Sequence, residues 1–252
     1  MALTDNLISY YKLDESSGNA ADSVGSNTGT NTNVTYAAGK INNGAVFNGT
    51  NAKLITGVTG FPTIQGNKTV SLWFNSSSIT TTQQDSIFGL FDNASSPSNS
   101  YQIVMDNATG GSKIKVTKWG GAVVADSGFT PTVSTWYHLV VTYDGTNTII
   151  YINGDLKVTS NTAVQSGTSA SCVMGIYPGG TVEWYNGIID EVGIWSRALS
   201  STEVTALYNS GNGLQYPFTT TSIKSFNGLA KASIKSINGL AIASVKSVNG
   251  LA

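Results

Sequence analysis

Apolar and polar residues alternate with a period of two along much of this chain. In KTVSLWFNSS, Val70, Leu72 and Phe74 fall on one side of an extended backbone and Ser71, Trp73 and Asn75 on the other, which predicts a strand with one buried face. Similar short runs surround GAVFNG, AKLITG, SIFGLF, YQIVMD, SKIKVTKW and TVEWYNGIIDEVGIW, at the spacing of an antiparallel sandwich or jelly roll. In WYHLVVTYDGTNTIIYINGDLKV, β-rich runs meet across Asp144-Gly145 and again across Asn153-Gly154. Both dipeptides tolerate positive φ, so three consecutive antiparallel strands are predicted. The pattern changes once, in SRALSSTEVTALYNSG. There Ser200 and Glu203 form a capping box, Val204, Leu207 and Tyr208 recur at helical spacing, and Gly211 stands where a left-handed residue ends a helix. One short amphipathic helix therefore closes an otherwise all-β domain.

Composition narrows the class. With 252 residues, 40% hydrophobic, 11% charged and 28 Gly, the chain has the size and polarity of one large β domain plus an appendage. The formal net charge of −1 provides no field to recruit nucleic acid or an anionic membrane surface. No window approaches the ~20 apolar residues of a membrane span, so neither nucleic-acid binding nor membrane insertion is expected. The start, MALTDNLISYYKLDESSG, lacks a basic stretch followed by an apolar run. That predicts cytoplasmic synthesis without a secretory signal, with release only by lysis or a non-standard route. The single Cys172 cannot form an internal disulfide and reads as a small buried apolar residue.

Particular segments resemble a known family. LISYYKLDESSGNAADSVGSNTGT, GKINNGAVFNGTNAKLI, TVSLWF, WYHLVVTYDGTNTIIYINGDL and YNGIIDEVGIWSRALSSTEVTALYNSG occur in the order seen in LamG-like jelly rolls, the concanavalin A-like lectin/glucanase fold. The resemblance implies binding of glycans or protein surfaces, with one structural Ca²⁺ in many members. The family's early aspartate matches Asp22 and its late one Asp190, so these are the expected metal ligands, completed by backbone carbonyls. Val24 and Ser26 depart from the family pattern. The alternative is that Asp22 caps a turn and Asp190 or Glu191 pairs with Arg197.

Hydrolysis by this fold needs two carboxyl groups facing each other across a cleft. No acidic pair stands at i, i+2 or i, i+4 in a strand-like run, and adjacent Asp190 and Glu191 are expected on opposite faces. The only histidine, His138, has no nucleophile motif beside it and reads as structural. A non-enzymatic protein is therefore expected. Glycan sites set aromatic rings against sugar faces and amides against hydroxyls. The ring candidates are Trp119, Tyr177, Trp184 and Tyr185, with Asn186 and Asp92 or Asn93 as polar partners. Of the consecutive Trp184 and Tyr185, one must face inward. Trp73, Trp136 and Trp195 stand in strand-like runs and read as packing residues.

The chain ends in a threefold repeat with an eleven-residue period: residues 222–230, 233–241 and 244–252, each containing Asn-Gly. Two-residue turns and short strands are predicted, too small to stand without a partner surface. Residues 219–252 carry four lysines and no acid, against nine basic and 14 acidic residues before them. Such repeats behind a LamG-like domain resemble the ends of bacteriophage structural proteins. The expectation is a jelly roll at 1–217 and a repeat tail at 218–252 that anchors it to virion proteins or to further copies of itself. The jelly roll then faces a glycan or cell-surface ligand. A free lectin module is the alternative, and a glycoside hydrolase a third.

Overall fold

The period-two runs fold into two antiparallel sheets packed face to face, as a computed structural model of the chain shows. It describes residues 1–57, 59–79, 84–92, 99–106, 111–168, 171–177 and 183–218, with 225–226, 229–230, 236–237 and 240–241 in the tail. The chain divides into two units, Met1–Tyr216 and Pro217–Ala252.

In chain order the first unit holds β1 (Leu7–Tyr11), β2 (Thr30–Thr32), β3 (Thr35–Ala38), β4 (Asn43–Asn48) and β5 (Lys53–Thr56). There follow β6 (Lys68–Ser76), β7 (Gln84–Phe91), β8 (Ser100–Asp106), β9 (Lys113–Lys118) and β10 (Ala122–Asp126). The series ends with β11 (Tyr137–Tyr143), β12 (Thr148–Ile152), β13 (Asp155–Ser160), β14 (Ser171–Met174), β15 (Asn186–Trp195) and the helix α1 (Ser201–Tyr208). The first sheet runs β13-β12-β11-β6-β15-β4-β3, with β1 paired to the second half of β15 where β4 pairs to the first. The second runs β10-β9-β8-β7-β14-β5-β2. The predicted meander over residues 137–160 is present, with β11, β12 and β13 adjacent in order.

Alternation explains the core. Val70, Leu72 and Phe74 of β6 share one buried cluster with Leu90, Ile103, Val116, Leu139, Cys172 and Met174. Each such side chain contributes about 1.5–3 kcal/mol when removed from water. The opposite face of β6 is buried too, contrary to the one-sided pattern: Ser71 and Trp73 are both 3% exposed. Helix α1 and the segment after it lie there, with Tyr208 stacked on Trp73 at 5.9 Å between ring centroids.

That helix begins as predicted. The Ser200 hydroxyl accepts from the Glu203 N–H at 3.3 Å, and the Glu203 carboxylate accepts from the Ser200 N–H at 2.8 Å. It ends earlier than Gly211: Asn209 takes the left-handed conformation, and its side-chain amide donates to the Gly213 carbonyl at 2.7 Å. Asparagine tolerates that conformation through its short polar side chain.

In the tail, β16 (Ser225–Phe226) pairs with β17 (Leu229–Ala230), and β18 (Ser236–Ile237) with β19 (Leu240–Ala241). The registers pair Phe226 with Leu229 and Ile237 with Leu240, the spacing predicted for the first two copies. Among the described residues each hairpin is its own two-stranded sheet. The third copy, at 244–252, lies outside them.

Candidate ligand-binding face

The outer face of the second sheet has an unusual make-up that its registers expose. Thr117, Gln102, Gly89, Val173 and Ile55 stand side by side across β9, β8, β7, β14 and β5. In the next row Ser100 and Ser171 flank Phe91. Since the neighbouring residues Leu90, Ile103, Val116 and Cys172 fill the interior, these rows point away from it. All but the half-buried Ile55 are nevertheless buried, forming a sunken floor. Phe91, Val173 and Ile176 make a separate apolar cluster, and Ile55, Tyr177 and Trp184 pack against it. Gly89 makes room for this: a Cβ there would meet the Phe91 ring at 2.5 Å.

Polar groups on the floor are incompletely satisfied. The hydroxyls of Ser100, Thr117 and Ser171 are buried and have no hydrogen-bond partner. Water or a ligand hydroxyl is the usual partner of such groups.

Aromatic rings form the rim. Trp119 follows β9 at a turn through Gly120 and Gly121, both at positive φ, and is 43% exposed. Its ring stacks on Tyr177, centroids 5.9 Å apart and planes 29° apart. Tyr177 in turn meets Phe91 edge-on at 5.8 Å. Gln165 fixes the arrangement, its side-chain oxygen accepting from the Trp119 N–H at 2.7 Å and the Ser100 N–H at 3.2 Å. Asp92, beside Phe91, accepts from the Asn99 amide at 3.0 Å. Burial, then the nearby carboxylates of Glu183 and Asp92, push the Tyr177 hydroxyl up to about 12. Glu183 itself is pushed up to about 7 by burial and then by Asp106 and Asp85.

The structure thus brings Trp119, Tyr177 and Trp184 to one face, with Asp92 nearby. It separates the other two candidates from them. Tyr185 is fully buried in the inter-sheet core, its hydroxyl 3.3 Å from that of Ser76, so its ring is closed to ligands. Asn186 opens β15 in the first sheet and donates to the Ser78 hydroxyl at 3.0 Å. Asn93 lies outside the described residues. Trp73 and Trp195 are buried, as packing residues are expected to be, and Trp136 precedes β11. Sequence reading missed Ser100, Thr117, Ser171 and Gln165. The signal for the first was present as the alternation of Ser100 and Gln102 with Tyr101 and Ile103.

Asp22 and Asp190 are each held by backbone N–H groups. Asp22 accepts N–H bonds from Tyr10 and Val24 on one oxygen and from Asn27 on the other. Burial raises its pKa, but backbone N–H bonds outweigh that and leave it below the usual value. It therefore acts as a turn cap. Asp190 accepts from the Lys40 and Ile41 N–H groups at 2.8 and 2.9 Å through one oxygen, while the other is buried without a partner. Among the described residues no three His, Cys, Asp or Glu side chains are disposed to hold a metal ion. The alternative pairing with Arg197 is replaced as well: Arg197 grips Glu203 through two bonds of 3.0 and 2.6 Å.

One expectation about the acids is overturned. A bulge between Asp190 and Gly193, with Glu191 at φ +53°, interrupts the β15–β6 register. A bulge adds a residue to one strand and re-aims its side chain, so Asp190 and Glu191 share the outer face of the first sheet. Glu191 accepts from the Tyr10 hydroxyl and from Gln215. Burial, with Glu191 and Asp14 nearby, pushes Asp190 up to about 8 against its N–H bonds; burial, with Asp14, pushes Glu191 up to about 7. The adjoining cavity, lined by Tyr10, Ser71, Trp73, His138 and Glu191, has a volume of about 10 Å³, room for one water. His138 lies 2.9 Å from the Ser71 hydroxyl, but its Nδ1 has no partner and burial pushes it down to about 3. A nucleophile–base pair needs an orienting acid and an open face, and this one has neither.

Comparisons agree with the architecture. A family model described as the concanavalin A-like lectin/glucanases superfamily matches residues 47–205. Domain 4 of AbnA, a GH43 extracellular arabinanase from Geobacillus stearothermophilus, solved with arabinotriose, superposes with a TM-score of 0.64 at 24% identity, covering 79% of this chain and 97% of that one. Trypanosoma rangeli sialidase in complex with sialic acid gives 0.66 at 14% identity, over 83% of this chain and 33% of its own. The binding domain of Paraclostridial Mosquitocidal Protein 1 gives 0.65 at 17%, over 83% and 53%. This chain thus spans a third of the sialidase and about half of the toxin domain. No curated protein sequence matches it significantly.

Proposed function

Because the chain belongs to the concanavalin A-like lectin/glucanase superfamily, whose fold does not by itself fix activity, we propose on the evidence of its own side chains that it is a non-enzymatic glycan-binding jelly roll. The observation that carries this is the sunken outer face of the second sheet. A stacked Trp119–Tyr177 pair stands above an apolar floor whose Ser100, Thr117 and Ser171 hydroxyls have no protein partner. Sugars present the complement to the exposed ring of Trp119, an apolar C–H face. The arabinotriose held by the arabinanase domain of the same fold supports a short oligosaccharide as the ligand. The C-terminal repeats serve to hold the jelly roll in a larger assembly, a virion fibre or decoration layer, their unbalanced lysines favouring an acidic partner.

The test is a glycan array read with the wild type, Trp119→Ala and Tyr177→Ala. Binding by the wild type that falls about five- to thirtyfold in each variant is expected, since losing a stacked ring costs about 1–2 kcal/mol. Unchanged binding by both variants removes the proposed site. Hydrolysis is the second reading, favoured by Glu183, a carboxyl raised to about 7 beside Asp85 and Asp106, which suits a general acid. Release of new reducing ends from a bound glycan, abolished by Glu183→Gln, would replace the first reading with this one.

A further inference from the structure

Gln165 is fixed in one orientation beside the exposed ring of Trp119. Its side-chain oxygen accepts from two backbone N–H groups, those of Trp119 and Ser100, at 2.7 and 3.2 Å. Both partners are donors, so the oxygen must face them and the amide –NH₂ faces away. Amide geometry then places that nitrogen no more than about 5 Å from the Trp119 backbone nitrogen. Gln165 is half-buried, and among the described residues its nitrogen has no hydrogen-bond partner and is not sealed from solvent. Apolar surface stands at the same hairpin. Trp119 is 43% exposed, and Val123, across the Trp119–Gly121 turn, is 41% exposed. Val123 pairs with Thr117 and so shares its outward face. Charged side chains of this region are already engaged, Lys115 by Asp106, Asp92 by Asn99 and Lys118 by the Ala163 carbonyl. A neutral ligand leaves these pairs undisturbed.

We propose that the shelf prefers N-acetylated hexosamine units over sugars that carry only hydroxyls, the acetamide carbonyl accepting from the Gln165 amide and its methyl group resting on the apolar surface of Trp119 and Val123. This deepens the glycan-binding reading and rests on it. A hydroxyl donates and accepts, whereas a carbonyl only accepts. The carbonyl therefore gains twice over a hydroxyl at this place. It meets a fixed donor without reorientation, and it carries a methyl group that leaves water.

β-1,4-linked hexamers of glucose and of N-acetylglucosamine isolate the contact, since they differ only at C2, as hydroxyl against acetamide. Calorimetric titration of the full chain at pH 7.5 is expected to show the acetylated hexamer binding at least about fivefold more tightly. Gln165→Glu is the decisive variant. Its carboxylate, ionised at that pH, accepts the same two backbone N–H bonds and keeps the shelf in place, but turns an acceptor toward the ligand where a donor stood. A glucose hydroxyl can rotate and donate to that oxygen, whereas the acetamide carbonyl is repelled, so the preference should vanish. Val123→Ser removes part of the methyl seat without touching the Gln165 bonds and should reduce the preference about twofold. If Gln165→Glu fails to fold, as judged by circular dichroism, the exposed Val123→Ser decides alone. Equal or tighter binding of the glucose hexamer by the wild type overturns the preference and leaves the glycan reading standing. A preference that survives either substitution in a folded variant overturns the assigned location. A glycan array silent to every sugar removes the glycan-binding reading and this inference with it.

Discussion

Asp190 and Glu191 show how one backbone irregularity redirects chemistry. Two adjacent residues of a regular strand face opposite ways, yet the bulge with Glu191 at positive φ seats both on one face beside Asp14. Both carboxyl groups have raised pKa values, about 8 and about 7, so the folded state holds protons that the unfolded chain releases near pH 4. The stability this confers is complete below pH 4 and is lost as pH rises from there to about 8. An Asp190→Asn, Glu191→Gln double variant should therefore lose less of its melting temperature than the wild type between pH 5 and pH 9. Parallel curves would show that these groups do not titrate with folding. At the acid end the sign reverses: Glu203, held down to about 2 by Arg197, contributes stability above pH 4.5 that disappears as pH falls toward 2. His138, kept neutral by burial, contributes stability above pH 6.5 that is lost as pH falls toward 3. Lys68 is a quieter case. Fully buried, its amine donates to the Ile64 and Gly66 carbonyls at 2.7 and 2.6 Å and lies 4.7 Å from the Tyr101 and Tyr143 ring centroids, which ties the turn before β6 to the core.

At the scale of elements, helix α1 owes its start to local chemistry and its position to tertiary packing. Its capping box is legible in Ser200 and Glu203, and the same Glu203 carboxylate also receives Arg197. Ser200→Ala removes one cap bond and should lower stability by about 1 kcal/mol in chemical denaturation. Glu203→Ala removes the box and the ion pair together and should cost more. Strand β7 carries a different constraint. Gly89 leaves the space that the Phe91 ring occupies, and Phe91 supports Tyr177. Gly89→Ala is expected to destabilise by about 1–3 kcal/mol through overpacking and to weaken glycan binding, because the ring shelf rests on the displaced phenyl group. If the variant keeps full affinity, the floor does not position the rim.

For the whole molecule, the division at Tyr216 separates a jelly roll whose core spans both sheets from a tail in which two short strand pairs are described. Deleting residues 219–252 is expected to leave the jelly roll's thermal transition in place while lowering the assembly state seen in sedimentation. An unchanged assembly state would refute the tail as an anchor. The strands, the 137–160 meander, the capped helix and the short strand pairs of the first two repeats were all determined by the sequence, since alternation, capping and turn formation depend on neighbours a few residues apart. So was the membership of Trp119, Tyr177 and Trp184 in a list of candidate rings. What only the tertiary structure decided depends on residues far apart in sequence. Strand register set Ser100, Phe91 and Ser171 in one row, a bulge joined Asp190 to Glu191, and core packing closed Tyr185 off from solvent. Local pattern fixes which way a side chain points relative to its own strand, whereas its neighbours and its access to water follow from the pairing of distant strands.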